Sequence, residues 1–596
     1  MESASVIDFT RVFDLLDYQQ KKFSQHASLY SFFNGKWKAW TTDAIQKQAD
    51  EVSCWLLAQG YQPGDVAAIV PVMGSPEWMI IDFACQQIGM IVVPVHPTSS
   101  TEEMVFIFNE TQAKLCITAT TGIYFKTQLV SAEVPGLTHC FHLEKNEKGY
   151  FTAFGSKPTA GTINQLKLAK SNITENHTLT ILYTSGTSGI SKGVVLTHKN
   201  VVSNIKSIIP VLPVEPGDRA LSFLPFSHIF ERTTCYAYMA FGVNVYFSPS
   251  KESINSDFKT VRPAFFTTVP KTLEKMYDFL LEKRASKNMV KQKLISWAMN
   301  VGQHYKHERA RGLIFRLKLF LAKLLVLNRW QKFLGGKARF VIVGAAALRP
   351  EIAHLFSATG VLVLSGYGMT EASPFISVNR PQPGLYRFGT VGLPLPGVEV
   401  MIDQPNENGE GEILVRGPNV MQGYFKRPDL TAKVLIDGWL HTGDLGKFVD
   451  RKFLMITGRK KDIFKTTAGI YISPQQLEEH FISSPFISQC LVVGFNKPFV
   501  SAVLVPNFVL LQRWCEETGV HWTAPSYMIH NIKVQQKMQE EVDRLNARLE
   551  NYKRIKKFIL SDSEWTVDSG EMTLSFKVIR HKLLLKHEAA IEKLYH

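Results

Sequence analysis

At 596 residues, with 45% hydrophobic and 20% charged side chains, the chain is too long for one core and has the composition of an ordinary soluble enzyme of two to four domains or subdomains. No apolar run reaches the roughly 18 residues that cross a bilayer, and Met1–Asp8 lacks the basic-then-apolar layout of a secretory leader. The formal charge of +15 is concentrated: from Leu281 to Phe340 nine lysines and six arginines face two glutamates, a net +13, and the rest is close to neutral.

In chain order, residues 40–120 alternate amphipathic stretches with short β-branched runs such as Val66–Val70 and Met90–Val95, which predicts a parallel α/β layer. The pattern resumes at Ala264–Val269 and Ala338–Gly344. From about 385 to 460, short strands with glycine turns, as at Gly411–Gly417, predict a small β subdomain. After Lys461 come short strands at Gln489–Gly494 and Ser501–Val505, then a polar helix over Val534–Lys557. The expected fold is α/β: a large N-terminal domain over 1–460, with parallel-rich α/β subdomains and a small β subdomain, and a small α+β C-terminal domain over 461–596. Seven scattered cysteines with no CxxC pair predict reduced, mostly buried thiols in a cytosolic protein.

The most informative stretch is Tyr183 to Gly193, with three glycines, five Ser/Thr hydroxyls and one lysine in eleven residues. Leu179–Tyr183 leads in and Val194–Leu196 follows, so the pattern reads as strand, hydroxyl-rich turn, strand. Such a turn offers backbone N–H groups, hydroxyls and an ammonium to one polyanion, and a nucleoside triphosphate is the natural ligand. It departs from a Walker A loop, because Ser191 precedes Lys192, Gly193 follows it, and the next element reads as a strand. That departure points away from transfer of the γ-phosphate.

Further segments follow in fixed order: Leu224–Arg232 (LPFSHIFER), Gly344–Leu348 (GAAAL), Gly366–Glu371 (GYGMTE), Gly438–Asp444 (GWLHTGD), Gly458–Asp462 (GRKKD) and Lys465–Gly469 (KTTAG). Together with the 184–193 loop, this set resembles the adenylate-forming superfamily of acyl-CoA synthetases, adenylation domains and luciferases. The resemblance implies two steps. A carboxylate attacks the α-phosphate of ATP, giving acyl-adenylate and pyrophosphate, and a thiol then displaces AMP. A carboxylate is a poor acyl donor, and the mixed anhydride supplies its missing leaving group. Two anions must meet, so cations and N–H dipoles have to neutralise the charge that develops.

By motif match, Thr184, Ser185, Thr187 and Lys192 would hold the triphosphate, with Gly186, Ser188 and Gly189 in the same loop. Pro is usual in the family where Ser191 stands, and Thr where Ser188 stands; both changes keep loop and hydroxyl chemistry. Tyr367 would lie against adenine, beside Gly368, with Gly344, Ala345 and Ala346 on the other side. Thr370 would meet phosphate and Glu371 a Mg²⁺ ion, since a lone carboxylate plus phosphate oxygens is a usual magnesium arrangement. Asp444 would accept from the ribose hydroxyls with Arg459 beside it, and His228 would stand by the carboxylate. Near the C-terminus, Gly570–Arg580 resembles the long-chain version of the motif whose lysine bridges carboxylate and α-phosphate; that lysine is Lys577, and Leu574 stands where Pro is typical. Lys461 matches the hinge on which the small domain turns between half-reactions, and Gly469 would line the pantetheine path of coenzyme A.

The basic segment 283–340 reads as mostly helical. Over Leu313–Val326, at 100° per residue, Leu313, Leu317, Phe320, Leu321 and Leu324 share one face, while Phe315, Leu319, Ala322 and Val326 share another. Arg316 and Lys323 stand on one border and Lys318 on the other. A helix apolar on two sides can pack on the protein with one and meet lipid with the other. A basic helical insertion and the LPxSHIFER segment both resemble the long-chain branch, so the leading expectation is an ATP-dependent long-chain fatty acid–CoA ligase, cytoplasmic and peripheral at an anionic membrane surface. The alternatives are a ligase for medium-chain or aromatic acids, acyl transfer to carrier-protein pantetheine, a membrane-peripheral nucleotide-binding protein without chemistry, and a γ-phosphate-transferring enzyme. No nucleic-acid module is present, and the cations are interleaved with leucines, so nucleic acid is not the expected partner.

Overall fold

A computed structural model describes residues 8–23, 27–145, 147–185, 191–284, 289–307, 312–467, 469–566, 569–573 and 578–596. They gather into two compact units, Met1–Val400 with Val415–Leu440, and Met401–Leu414 with His441–His596.

The first unit is built on two large sheets. One has seven strands, in the order Gly423–Tyr424, Ser191–Thr197, Thr178–Ser185, Ile91–Pro94, Val66–Val70, Ala113–Thr118, His139–His142. From Thr178–Ser185 outward the pairs are parallel. Val66–Val70 is buried at every position, as the unbroken apolar run of a strand covered on both faces requires. The other sheet has nine strands, in the order Leu393–Pro394, Phe375–Val378, Leu362–Gly368, Phe340–Val343, Phe265–Thr268, Arg219–Ser222, Asn244–Phe247, Ala27–Phe33, Lys36–Thr41. It is parallel through its middle and antiparallel at both ends. Among the described residues its outer strand Lys36–Thr41 pairs on one side alone: Lys36 and Lys38 are exposed, while the Trp37 ring packs edge-on against Tyr246 at 5.2 Å. At the opposite margin, Leu393–Pro394 is two residues long.

Two helices of this unit, Pro76–Gln87 and Ile229–Ala240, are buried nearly all round and take several polar side chains inside with them. Pro76–Gln87 starts on the N-cap Ser75 with proline at its first turn. Ile229–Ala240 carries Arg232 into the interior, where the guanidinium meets Asp82 of the first helix, both side chains fully buried. Arg232 Nε donates to Asp82 at 2.8 Å and Nη1 donates to the Thr180 hydroxyl at 2.9 Å. One buried cation thus joins two helices to the strand that leads into the 184–193 stretch.

The strand Trp439–Val449, which belongs to the second unit from His441 onward, forms an antiparallel hairpin with Phe453–Arg459. Beyond it, Ile487–Val493, Val500–Pro506 and Ile555–Leu560 make a three-stranded sheet. Helices Pro474–Ile482, Phe508–Glu517 and Ile532–Asn546 supply its main core, with Leu477, Phe481, Leu511, Val534, Met538 and Val542 among the buried residues. The expected helix over Val534–Lys557 is corrected here: it ends at Asn546, and Ile555–Leu560 is a strand parallel to Val500–Pro506. The Asn546 amide fixes the change of direction by bonding the Ile555 carbonyl at 2.8 Å and its N–H at 3.0 Å. All seven cysteines are free and all but Cys140 are buried.

Candidate active site

The 184–193 stretch sits on an antiparallel hairpin, as its pattern predicts, with Thr184 opposite Lys192 and Ser185 opposite Ser191. Gly186, Thr187, Ser188 and Gly189 lie outside the described residues, as does Lys577, and Ser185 is described by its backbone alone. Gly193 has no room for a side chain, since a Cβ there would stand 2.8 Å from Ile181. The hairpin's outer strand pairs with Gly423–Tyr424, which sets the Tyr424 ring beneath the Lys192 ammonium at 5.1 Å from its centroid.

Tyr424 then reaches Glu371, donating its hydroxyl to Oε1 at 3.0 Å. Burial, and then the charge and hydrogen bond of Glu371, push the phenol well above its ordinary pKa, so it remains a donor. Glu371 stands in a short 3-10 turn, Thr370–Ala372, at the end of the strand Leu362–Gly368. Gly368 has to be glycine: a Cβ would lie 1.9 Å from the Pro374 carbonyl oxygen. Asn419 braces the turn by donating to the Ala372 carbonyl at 3.0 Å, and Met421 N–H donates to the Glu371 carbonyl at 2.9 Å. A cation, a phenol and a carboxylate from distant parts of the chain therefore meet beside the hairpin. Tyr424 and Asn419 carry no motif of their own, and their signal is structural.

Gly344 follows the buried strand Phe340–Val343 and lies against Phe230, whose ring would be 3.3 Å from a Cβ. Ala345 has φ of +71°, a left-handed conformation that alanine adopts at a cost and that marks functional turns. Tyr367 pairs with Ser377 in the adjoining strand, and its ring is partly exposed.

His228 is the N-cap residue of Ile229–Ala240 but makes no capping bond with its side chain. Its Nε2 is buried with no hydrogen-bond partner, and so is the hydroxyl of Ser227. Burial lowers the imidazole pKa and keeps the ring neutral. The His96 ring lies 5.8 Å away, held by Thr98, whose backbone N–H donates to Nδ1 at 3.3 Å. Burial, and then His228 and Lys251, depress its pKa to about 3. His96 belongs to none of the motifs above, and its place beside His228 is visible only in the fold. Three residues beyond His228, Glu231 is fully buried, which raises its carboxyl to about 7 against the hydrogen bonds of Ser222 and Leu224.

In the second unit, Asp444 and Arg459 face each other across the hairpin, with Arg459 Nε 2.9 Å from Oδ1. Asp444 is 5% exposed and its N–H donates to the Thr442 hydroxyl at 3.1 Å. Glu412 organises this turn: it accepts from Gly443 N–H at 3.0 Å and from Lys460 at 2.7 Å. Burial raises its pKa, but Lys460 and the Gly443 N–H outweigh that and hold it low. Asp403, Glu412 and His441 bring ligand atoms within 4.8 Å of one another, but Lys460 already neutralises the Glu412 carboxylate. Lys461 is exposed, and Gly469 has φ of +81°.

A buried neutral histidine gives a pH signature. His198 sits in the core, accepting the Val12 N–H on Nδ1 at 3.1 Å, and burial lowers its pKa to about 3. Between the ordinary value near 6.5 and about 3, the unfolded chain binds the proton that the folded chain refuses. Its contribution is therefore complete above pH 6.5 and shrinks as pH falls. Unfolding titrations should show stability dropping about 1.4 kcal/mol per pH unit below about 6 on account of this ring. His198→Gln should remove that part of the slope, and an unchanged slope contradicts the assignment.

The AMP-binding enzyme family profile matches residues 16–425, and the AMP-binding enzyme C-terminal domain profile matches 461–596. Long chain acyl-CoA synthetase 7, peroxisomal, of Arabidopsis thaliana is 30% identical over 585 residues, 94% of this chain and 81% of its own. Long-chain-fatty-acid–CoA ligase 6 of Homo sapiens is 30% identical over 548 residues, 87% of this chain and 77% of its own. Among solved structures, the anthranilate CoA ligase AuaEII in complex with anthranoyl-AMP superposes with a TM-score of 0.71 at 17% identity, covering 98% of both chains. The Bacillus subtilis o-succinylbenzoate CoA synthetase with ATP and magnesium ion does so at 0.68 and 20%, over 96% of this chain and 99% of its own.

Proposed function

Because the chain belongs to the AMP-binding enzyme family, in its long-chain acyl-CoA synthetase branch, we propose that it activates a long-chain fatty acid with ATP and passes the acyl group to the thiol of coenzyme A. The observation that carries this reading is the convergence of Lys192, Tyr424 and Glu371 beside the hydroxyl-rich hairpin. In the first step the carboxylate attacks the α-phosphorus and pyrophosphate leaves; in the second the thiol attacks the acyl carbon and AMP leaves.

Lys192, with Thr184, Ser185 and Thr187 and the loop of Gly186, Ser188 and Gly189, holds the departing phosphates. Glu371 fits a magnesium ion: one oxygen accepts the hydrogen bond from the Tyr424 hydroxyl, and the other has no protein partner among the described residues. That leaves one hard oxygen donor to share an ion with phosphate and water. The ion, when bound, offsets charge on the phosphate oxygens. His228 and its neighbour Ser227 offer unpartnered polar atoms to the acid's carboxylate. Tyr367, Gly368, Gly344, Ala345 and Ala346 are assigned to adenine, Thr370 to phosphate, and Asp444 with Arg459 to the ribose. Lys577 bridges carboxylate and α-phosphate, Lys461 is the hinge of a C-terminal domain over 461–596, and Gly469 keeps the pantetheine path open.

With acids of graded length, ATP, magnesium and CoA, the protein should release AMP and pyrophosphate, fastest on long chains. ADP as product overturns the chemistry, and turnover confined to short or aromatic acids, or to a carrier-protein acceptor, overturns the substrate. Glu371→Gln should cut the rate by about 100-fold or more, as loss of a group that neutralises transition-state charge does, whereas Tyr424→Phe should cost far less. Comparable losses in both would remove the metal role from Glu371.

The basic segment 283–340 is assigned to an anionic membrane surface, which would supply the partitioned acid. No helix among the described residues is long and apolar enough to cross a membrane. Binding to vesicles containing phosphatidylglycerol should weaken as salt rises from about 0.1 M to about 1 M, since the screening length falls from about 10 Å to about 3 Å. Equal binding to neutral and anionic vesicles at every salt concentration contradicts it.

A further inference from the structure

The helix Leu313–Ala322 and the π-helical turn Lys323–Leu327 that extends it are dressed differently on their two sides. Ala322, Val326 and Leu327 are buried against Met299, Leu355 and Ala358, and Phe315 and Leu319 pack onto the same cluster. On the other side Leu313 is 82% exposed, Ile314 74%, Leu317 60%, Phe320 61% and Leu324 61%, and Leu321 and Leu325 are also exposed. Soluble monomers seldom leave more than a few hundred Å² of contiguous apolar surface in water. Seven large apolar side chains within thirteen residues go beyond that habit.

At 100° per residue, Leu313, Ile314, Leu317, Phe320 and Leu321 fill an arc about 120° wide. Arg316 stands on one border and Lys318 on the other, both exposed, and Phe315, Leu319 and Ala322 lie opposite. Gly312 to Phe340 contains no acidic residue. That asymmetry selects the occupant. A second copy docked by this face in an isologous contact would bring the same cations together across it. An anionic bilayer takes the apolar arc and neutralises its borders.

We propose that this face is a shallow insertion device: the arc from Leu313 to Leu324 enters the headgroup–acyl boundary of an anionic membrane, while Arg316 and Lys318 reach back to lipid phosphates. This rests on the membrane reading above and adds to it, because charge alone would hold the protein at the surface and release it with salt. Insertion leaves a salt-resistant part set by apolar area.

The test uses the full chain and vesicles of phosphatidylcholine with or without phosphatidylglycerol. Leu317→Ser combined with Phe320→Ser should weaken binding to anionic vesicles about a hundredfold and abolish the salt-resistant part. Ligation of detergent-dispersed acid should be unchanged, which controls for folding. Arg316→Gln with Lys318→Gln should weaken binding at low salt and spare the resistant part. Phe320→Trp should be quenched by lipids brominated near the headgroup end of the acyl chain, beyond any quenching of the unsubstituted protein. If the unsubstituted protein ignores anionic vesicles, the membrane reading itself fails. If it binds and the double serine variant binds equally well, or the tryptophan is not quenched, insertion alone is overturned. A lipid-free dimer that the serine pair dissociates would also overturn it, making the face an interface between copies.

Discussion

Lys577→Ala is expected to slow acyl-adenylate formation by about 10²- to 10³-fold while thioester formation from supplied acyl-adenylate continues near its normal rate. The reason lies in the charges. Attack of a carboxylate on a phosphate brings two anions together, and a cation that bridges them acts where charge develops in that step alone. Once the mixed anhydride exists, the thiol meets a neutral carbonyl carbon, and the same ammonium has no comparable task. Measuring pyrophosphate exchange and acyl transfer separately reads the two halves; equal losses in both would reassign Lys577. Gly469 supplies the mirror image. Its φ of +81° is left-handed and a Cβ would meet just the Lys465 side chain at 3.6 Å, so alanine there strains the backbone without a clash. Gly469→Leu should depress transfer to CoA far more than adenylation, and Gly469→Ala separates the cost of strain from that of bulk.

Asp82→Ala should be the most damaging single change to folding, at about 3–5 kcal/mol. Arg232 keeps its charge at any accessible pH, and Asp82 holds it through Nε at 2.8 Å and through a second bond from Nη2. With the carboxylate gone, a fully buried guanidinium keeps the Thr180 and Tyr236 hydroxyls and nothing of opposite charge. Its alternatives are to drag water inward or to unfold the helix Ile229–Ala240. Denaturant titration measures the loss. Asp82→Leu combined with Arg232→Met should recover much of it, because removing both charges removes the unpaired one. A loss below about 1 kcal/mol for Asp82→Ala would mean that water reaches the guanidinium.

Motifs that act locally were legible in the sequence, and partnerships across the chain were not. The two strands that flank the 184–193 stretch follow from apolar runs on either side of a glycine-rich turn, and the structure adds the register that sets Thr184 opposite Lys192. The two-faced character of Leu313–Val326 follows from helical spacing, and the structure adds which face is covered. Tyr424 is different: its role comes from two residues of strand pairing with Val194 and Val195, more than two hundred positions earlier. Asp82 leaves a faint trace, a lone carboxylate within Trp78–Cys85, but its partner is 150 residues away and no local period links them. The end of the helix at Asn546 was missed because Arg548 to Lys557 is polar enough to continue one, and the pull of the Val500–Pro506 strand has no local signature.

The nine-stranded sheet carries a lesson about crowding. An unpaired margin is a template on which foreign backbones can zip, and this one is long enough to do harm. Lys36 and Lys38 give it two protruding cations, each of which a newcomer would have to strip of water. Trp37 is folded back on Tyr246 and the Trp40 indole N–H donates to the Ser31 hydroxyl at 3.0 Å, so both large rings of the margin are already engaged. The far side is kept short, and Pro394 there has no N–H to offer. The chain thus leaves its longest run of exposed apolar side chains on one helix and guards its strand margins against its own kind.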